Sequence, residues 1–338
     1  MSLQREMEAH VLSAVSEFVA SLNSGSGVVA DMTQLVEVTS RLPLSNLEYW
    51  ERLIRSGLYQ ATARSKPAKW KLWDKPTPFL TWIDLCSGDG FKRERTLRIL
   101  SGRAPNRFFF AIAVRRLNDW VRQVRSAARE QLPSIAIASN PEEVVDVLCA
   151  VLPHWNSWGR SEDEGRQALL TIASTEAVVP VLKSRLISAA AGPLASVLAQ
   201  VGRSSVLDEH LFQIASCAIQ PSVRAKAFKS LLDGKATWLT GRKWEWTDIR
   251  YCEGHFMPTL CDRPLTTKGP LEETLRAASS DRSAFVRRVA GDVLIRELGT
   301  LGALGFQLAN ILASDGNPSV AERGKFALKK LSQKCPAA

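Results

Sequence analysis

The 338-residue sequence lacks any long uninterrupted run of apolar residues. A helix that crosses a bilayer needs about 18 or more such residues. The two most apolar stretches, 186–201 and 301–312, are broken by polar residues, glycine or proline. The N-terminus carries Glu6, Glu8 and Glu17 where a secretory signal has basic and then apolar residues. The sequence therefore predicts a cytoplasmic protein with no membrane partner.

Cysteine and histidine are scarce, and this limits the catalytic and metal-binding chemistry that the chain can offer. The six cysteines are scattered and favour reduced thiols over a disulfide framework. Cys252 and His255, with Cys261 or Asp262, offer three or four zinc ligands, but the second close pair of a tetrahedral site is missing. The alternative is a buried thiol and an exposed imidazole. The sequence also lacks a Ser/His/Asp order and a phosphate-binding loop, so it shows no machinery for nucleophilic catalysis. We predict no cofactor.

A spaced pattern, Val-Arg-x-x-Ala-x-x-x-Leu, recurs along the chain. Copies begin at Val124, Val223 and Val286, a degraded copy with alanine and glycine begins at Val320, and a weaker one begins at Lys92. The intervals from Val124 onward are 99, 63 and 34 residues, or multiples of one period of roughly 33. Valine, alanine and leucine at this spacing lie along one helical stripe that a neighbouring helix can cover. The pattern therefore predicts helical repeats in which the valine and alanine of each copy are buried.

Aspartates precede the repeated pattern at a constant distance. Asp119 lies six residues before Arg125, Asp281 lies six before Arg287, and Asp315 keeps the position although Ala321 replaces the arginine. This arrangement resembles the HEAT repeat, in which an aspartate at the turn between helices and an arginine in the second helix bond between adjacent units. The resemblance covers roughly residues 80–330 and implies an all-α protein, an α-solenoid of stacked HEAT-like helix pairs.

The resemblance says little about activity, because proteins of HEAT type include scaffolds, transport receptors and enzymes. Residues 105–132 are also similar to a group of bacterial HEAT-repeat proteins of unassigned role. We predict that Asp119 with Arg125, and Asp281 with Arg287, lie at interfaces between stacked helix pairs.

A glycine-rich segment, residues 83–90, permits a different hypothesis. It resembles the first motif of S-adenosylmethionine-dependent methyltransferases, in which a strand ends in a glycine turn. The alternative is a turn between two helices of a repeat. The weak copy at Lys92 keeps the register of roughly 33 residues, and no alternation of strands and helices follows, so the turn is favoured.

The sequence suggests three segments and one insert. Residues 1–63 form a helical segment, 64–78 form a connector rich in Lys, Trp and Pro, and 79–330 form the repeat array. Within the array, residues 235–269 lack the apolar stripe and contain three of the ten tryptophans. This aromatic content argues against disorder, so we predict an irregular but ordered insert packed on one face.

The net charge of +10 is unevenly distributed. Residues 1–40 and 131–220 each carry −4, whereas 41–130 carry +11 and 221–338 carry +7. A positive field of this kind attracts phosphate backbones or acidic protein surfaces, although solvated Lys and Arg on an outer helical face give the same count.

Two clusters combine cations with aromatic rings and are the candidate partner-binding residues. With neighbouring arginines, the first cluster comprises Lys66, Lys69, Trp70, Lys71, Trp73, Lys75, Arg115, Arg116 and Arg122. The second comprises Arg242, Lys243, Trp244, Trp246, Asp248 and Arg250. The tryptophans offer stacking to bases, or else they only pin their segments to the array.

These features predict a non-catalytic binding scaffold that recognises an acidic protein surface or a nucleic-acid backbone. The alternative is a DNA glycosylase of the HEAT-like kind, in which tryptophans stabilise a cationic alkylated base and a carboxylate supports the oxocarbenium charge. Residues 242–250 are similar to such enzymes in composition. The sequence predicts neither the identity of the partner nor the oligomeric state.

Overall fold

A computed structural model of the chain describes residues 2–23, 30–64, 80–161, 163–267 and 269–334. This part of the chain contains sixteen α-helices and one two-stranded sheet. The chain divides into two compact units, Met1–Val178 and Val179–Ala338. Among the described helices, none combines the length and the apolar character that crossing a lipid bilayer requires. The prediction of a mainly helical protein is confirmed.

The first unit is built around a helix that is apolar on every side. Its helices are α1 Ser2–Asn23, α2 Thr33–Ser40, α3 Leu47–Arg64, α4 Gly90–Ile99, α5 Arg107–Arg115, α6 Arg122–Ala138, α7 Pro141–Val151 and α8 Asp163–Ala173. Short 3-10 helices occupy Leu44–Asn46, Trp82–Cys86, Arg116–Asn118 and Trp155–Ser157. Every residue of α5 from Phe108 to Val114 is buried, because α2, α3, α6 and α7 surround it. The Asn106 side chain caps this helix by accepting the Phe109 amide at 3.1 Å.

The second unit contains the remaining helices and both strands. The helices are α9 Val178–Ser188, α10 Leu194–Val201, α11 Leu211–Cys217, α12 Pro221–Asp233, α13 Leu271–Ser279, α14 Ala284–Glu297, α15 Gly302–Ala313 and α16 Pro318–Lys334, with a 3-10 helix at Asp208–His210. Helices α12, α14 and α16 are consecutive neighbours in space, and each carries one copy of the repeated pattern.

The predicted insert is a β-hairpin with register shifts at Leu239/Gly241 and Trp246/Asp248, so the expectation of an all-α protein with an irregular segment at 235–269 is corrected. Strand β1, Lys235–Asp248, pairs antiparallel with β2, Glu253–Pro264. Alternating aromatic residues such as Trp244 and Trp246 suit a pleated strand, and this period-two signal is present in the sequence. The turn between the strands ends at Cys252, whose φ of 54° is left-handed.

The buried stripe predicted from the repeated pattern is confirmed. The valines and alanines of the three full copies are all fully buried: Val124, Ala128, Val223, Ala227, Val286 and Ala290. Because these residues recur at helical spacing, each copy forms the inner face of one helix, α6, α12 or α14.

The arginine of one copy pairs with the aspartate that precedes the next copy. Arg93 donates to both carboxylate oxygens of Asp119 at 2.9 and 2.7 Å. Arg224 donates in the same way to Asp281, at 2.8 and 2.9 Å. Arg287 and Asp315 form the third pair. Asp315 therefore has a partner, supplied by the preceding copy and not by position 321.

Each arginine also ties its own copy together through the backbone. Arg125 donates to the carbonyl oxygen of Asp119, six residues earlier, at 3.0 Å, and Arg287 donates to that of Asp281 at 2.8 Å. The six-residue spacing thus reflects a hydrogen bond from the arginine to the backbone carbonyl of the aspartate in the same copy. The aspartate side chain instead pairs with the arginine of the preceding copy. Asp119 and Asp281 each lie at such a contact, as predicted.

The hairpin explains the long interval between two copies of the pattern. Without the thirty residues Lys235–Pro264, the 63-residue interval between Val223 and Val286 shortens to 33, the period of the other copies. Helix α12 packs directly against α14. No copy of the pattern is missing at this place, because the hairpin is inserted within one repeat of the pattern.

The glycine-rich segment 83–90 is a turn between helical elements. Residues Trp82–Cys86 form a 3-10 helix and not the strand that the methyltransferase motif requires. Asp89 caps α4 by accepting the Phe91 amide at 2.9 Å. A Cβ atom at Gly90 would lie 2.7 Å from the Val121 side chain, so close helix packing accounts for this glycine.

Candidate functional site

The hairpin is anchored at its base and exposed beyond it. Buried Asp208 accepts two hydrogen bonds from the Arg263 guanidinium, at 2.7 and 2.9 Å, and two more from the backbone and hydroxyl of Thr266. On the other strand, Gln200 donates to the Leu239 carbonyl at 3.1 Å. From residue 242 to 262 nearly every side chain of the hairpin is exposed. The helices therefore hold the base of the hairpin and leave its outer part accessible.

Replacing Asp208 with asparagine is expected to weaken the base of the hairpin by about 1–2 kcal/mol, since hydrogen bonds to a charged group are stronger than those to a neutral one. Amide hydrogen exchange at residues 236–239 and 260–263 should become faster. The matched control is Asp262→Asn, which removes the exposed pair with Lys235 from the same hairpin and is expected to change exchange little. If the two substitutions changed hydrogen exchange equally, Asp208 would not be the residue that anchors the base of the hairpin.

Three aromatic rings form a cluster on one face of the exposed hairpin. Trp244 lies opposite Phe256 across the strands, and Trp246 lies opposite Gly254. The Trp244 ring meets Phe256 edge to face at 4.9 Å and Trp246 at 5.5 Å between centroids. Trp244, Trp246 and Phe256 are nevertheless 37%, 51% and 61% exposed. Their mutual contacts fix the rings, and the exposure leaves apolar area for a partner.

Sequence reasoning missed several members of this exposed surface. Phe256, Tyr251 and Ile249 are all exposed, and β2 also carries the exposed apolar residues Met257 and Leu260. Phe256 joins the tryptophans only through the strand register, since it lies twelve residues after Trp244. The sequence signal that could have identified Phe256 is a pair of segments with alternating side chains joined by a turn, which is typical of a β-hairpin.

Cations flank the aromatic cluster. Arg242, Lys243 and Arg250 are exposed. Arg250 and its backbone amide hydrogen-bond Asp248, the Nη2 to Oδ2 distance being 3.1 Å, and this lowers the pKa of that carboxyl. The predicted residues 242–250 thus lie together on the hairpin, with Asp248 held as an ionised partner of Arg250.

The cysteine and histidine residues proposed as zinc ligands are spread along the hairpin. Cys252 ends the turn, His255 faces Glu245, and Cys261 faces Trp238 near the base. Within the described ranges, no group of three or more His, Cys, Asp or Glu is close enough to hold a metal ion.

The predicted basic residues of the first unit form an ion-pair network. Arg115 contacts Glu48 at 3.2 Å and Glu51 at 3.0 Å. Arg116 contacts Glu51 at 2.8 Å and Asp119 at 3.0 Å, and it is only 4% exposed. Its guanidinium therefore presents no exposed group to a macromolecular partner, because the interior carboxylates occupy it.

Of the remaining candidates in the first cluster, only Arg122 lies within the described residues. Arg122 is exposed in the first turn of α6. The six residues Lys66, Lys69, Trp70, Lys71, Trp73 and Lys75 lie outside the described residues. The roles of Arg115 and Arg122 in partner binding stay predictions.

Comparison with known proteins does not assign a family. No known protein family matches the sequence, and no curated protein is significantly similar to it.

Proposed function

We propose that the protein is a non-catalytic helical-repeat scaffold, an α-solenoid of HEAT-like helix pairs, that binds its partner through the hairpin. The bonds from Arg224 to Asp281 and from Arg287 to Asp315 support this proposal, because they join successive copies of one pattern. A helical array needs such repeated interfaces, since no single pair can bury its apolar stripe alone. The hairpin is inserted into one copy of the pattern, and between residues 242 and 262 nearly all of it stays outside the buried core.

The partner that the hairpin suits best is a nucleic acid. The observation that carries this is the exposed cluster of Trp244, Trp246 and Phe256 between Arg242 and Arg250. Exposed rings stack on bases, cations pair with phosphates, and a two-stranded ribbon is narrow enough for the major groove. An acidic protein surface is the other partner that this charge and apolar area would accept.

Binding of labelled single-stranded and duplex 20-mers, measured by fluorescence anisotropy, tests the proposal. Affinity should fall steeply with salt, by about 0.9 log units per log unit of salt for each duplex phosphate contacted. Trp246→Ala is expected to weaken binding by about 2 kcal/mol, or roughly thirtyfold, because an exposed aromatic anchor loses its contact. The melting temperature should stay unchanged, since this ring is half exposed.

The matched control is Phe306→Ala, which removes an exposed ring from α15 of the same unit. It should leave the affinity for both 20-mers intact. Retention of neither 20-mer at low salt would remove the nucleic-acid proposal and leave an acidic protein surface as the partner. A lower melting temperature for Trp246→Ala with unchanged affinity would make the cluster a structural brace.

The glycosylase is the second candidate, and it depends on the Trp244, Trp246 and Asp248 set. In that role Asp248 must be free to support a developing positive charge, yet Arg250 engages both of its oxygens. This geometry favours the scaffold. Release of an alkylated base from DNA by the native chain, abolished by Asp248→Asn with binding intact, would reverse the preference.

A further inference from the structure

A cleft of about 720 Å³ in the first unit is separate from the hairpin and has an unusual charge balance. It is bounded by α3, the start of α4, the 3-10 helix Arg116–Asn118 and residues 150–160. Six arginines line it, against three carboxylates. Its volume lies within the range of roughly 300–1,000 Å³ that is common for small-molecule sites.

The three carboxylates of the cleft are already shared among five arginines. Glu51 forms ion pairs with Arg55, Arg115 and Arg116, at distances of 2.5 to 3.0 Å. Glu48 pairs with Arg52 and Arg115, and Asp119 pairs with Arg93 and Arg116. Because arginine does not lose its proton in proteins, the surplus of positive charge persists at every physiological pH.

The surplus of positive charge in the cleft also affects the pKa values of the carboxyl groups that line it. The hydrogen bond and charge of Arg115 lower the pKa of Glu48. Burial alone would raise the pKa of Asp119, yet hydrogen bonds from Arg93 and from the Val121 amide lower it overall. Both carboxylates are therefore fully ionised near neutral pH, and the excess of positive charge in the cleft is not relieved by them.

The sixth arginine stacks on an exposed aromatic ring at the edge of the cleft. The Arg160 guanidinium carbon lies 3.3 Å from the centroid of the Trp120 ring, which is 77% exposed. The Arg160 backbone amide donates to the Asn118 side chain at 2.9 Å and so fixes the segment. Within the described part of the chain, the Arg160 side chain has no carboxylate partner. A stacked guanidinium of this kind keeps its edge available for a bidentate anion.

We propose that this cleft binds a free nucleoside di- or triphosphate. The accessible arginines Arg52, Arg55 and Arg115 would take the phosphates, whose negative charge offsets the three excess positive charges of the lining. The planar base would stack at Trp120 beside Arg160. The site is independent of the hairpin, so the scaffold proposal and this one can fail separately.

Calorimetric titration with ATP, tripolyphosphate and adenosine tests the proposal on the full chain. ATP is expected to bind and adenosine is not, because the phosphates supply the charge. Tripolyphosphate should bind about tenfold more weakly than ATP, since it has no base to stack on Trp120. Arg52→Gln should weaken ATP binding about tenfold, the effect of one charge-assisted hydrogen bond. Arg160→Ala should weaken it by a similar factor, because the guanidinium that stacks on Trp120 beside the base is lost.

These two arginines are chosen because neither belongs to the buried part of the network, so their replacement spares the fold. The matched control is Arg98→Gln, an exposed arginine of α4 outside the cleft that pairs with Glu94 and Glu130. Its ATP affinity should equal that of the native chain. Absence of ATP binding, equal affinity for adenosine, or an equal loss in Arg98→Gln would overturn the proposal. So would tripolyphosphate binding as tightly as ATP, or a single-stranded oligonucleotide that binds the cleft while ATP fails to displace it.

Discussion

Replacing Asp119 with alanine is expected to lower the free energy of unfolding of the first unit by about 3–5 kcal/mol. The carboxylate accepts from Arg93 and Arg116, and the side chains of all three residues are at most 8% exposed. Without it, two buried guanidinium groups lose a shared counter-charge that water cannot replace. Chemical denaturation followed by hydrogen exchange and mass spectrometry, which resolves α4 and α6, measures the effect.

The control is Glu37→Ala, which removes an exposed pair with Arg41 in the same unit and is expected to cost less than about 1 kcal/mol.

The pH dependence of the unfolding free energy provides a second check. Because folding lowers the pKa of Asp119, its contribution is fully present above the unfolded value of about 3.9 and is lost as pH falls through the folded value. The difference in unfolding free energy between the native chain and Asp119→Ala should therefore become smaller in acid. A difference that stays constant from pH 7 down to pH 3 would contradict the ion pairs of Asp119 with Arg93 and Arg116.

Replacing Gly324 with alanine is expected to destabilise the second unit by about 3 kcal/mol. A Cβ atom at this position would lie 2.1 Å from the Ala313 backbone nitrogen and 2.5 Å from the Leu312 carbonyl carbon. Backbone atoms of a neighbouring helix cannot rotate away as a side chain can. Helices α15 and α16 must therefore separate, and the melting transition of the second unit should shift to lower temperature.

The matched control is Gly316→Ala in the turn between the same two helices, where no atom lies within 4 Å of an added Cβ. It should be neutral or slightly stabilising, because alanine restricts the unfolded chain. If Gly324→Ala were as stable as Gly316→Ala, the close packing of α15 on α16 would be wrong.

Gly324 also shows what a degraded motif means. It occupies the place of Ala128, Ala227 and Ala290 in the repeated pattern, and the sequence presents it only as a weakened copy. Periodicity predicts that a small residue faces a neighbour at this place. It does not predict how near the neighbouring backbone comes, because that depends on the packing of α15.

The residues of the candidate site on the hairpin could be predicted from the sequence, but their arrangement in space could not. Residues 242–250 stand out in the sequence because Trp and Arg are concentrated there, and the strand alternation was already visible at Trp244 and Trp246. The contact of Trp244 with Phe256 depends on strand register, which the turn between the two strands sets. The cleft gave even less signal, since Arg52, Arg115 and Arg160 are far apart in sequence and only folding brings them to one lining.

The sequence by itself determined the helical character, the repeat of roughly 33 residues and the buried valine and alanine stripes, because each follows from spacing within one helix. The tertiary structure decided the rest. It paired Arg93 with Asp119 and Arg224 with Asp281, placed the hairpin inside one unit of the pattern, and gathered six arginines around three carboxylates. The physical reason is distance along the chain: periodicity reports on neighbours within a helix, whereas ion pairs, strand register and clefts join residues that only packing brings together.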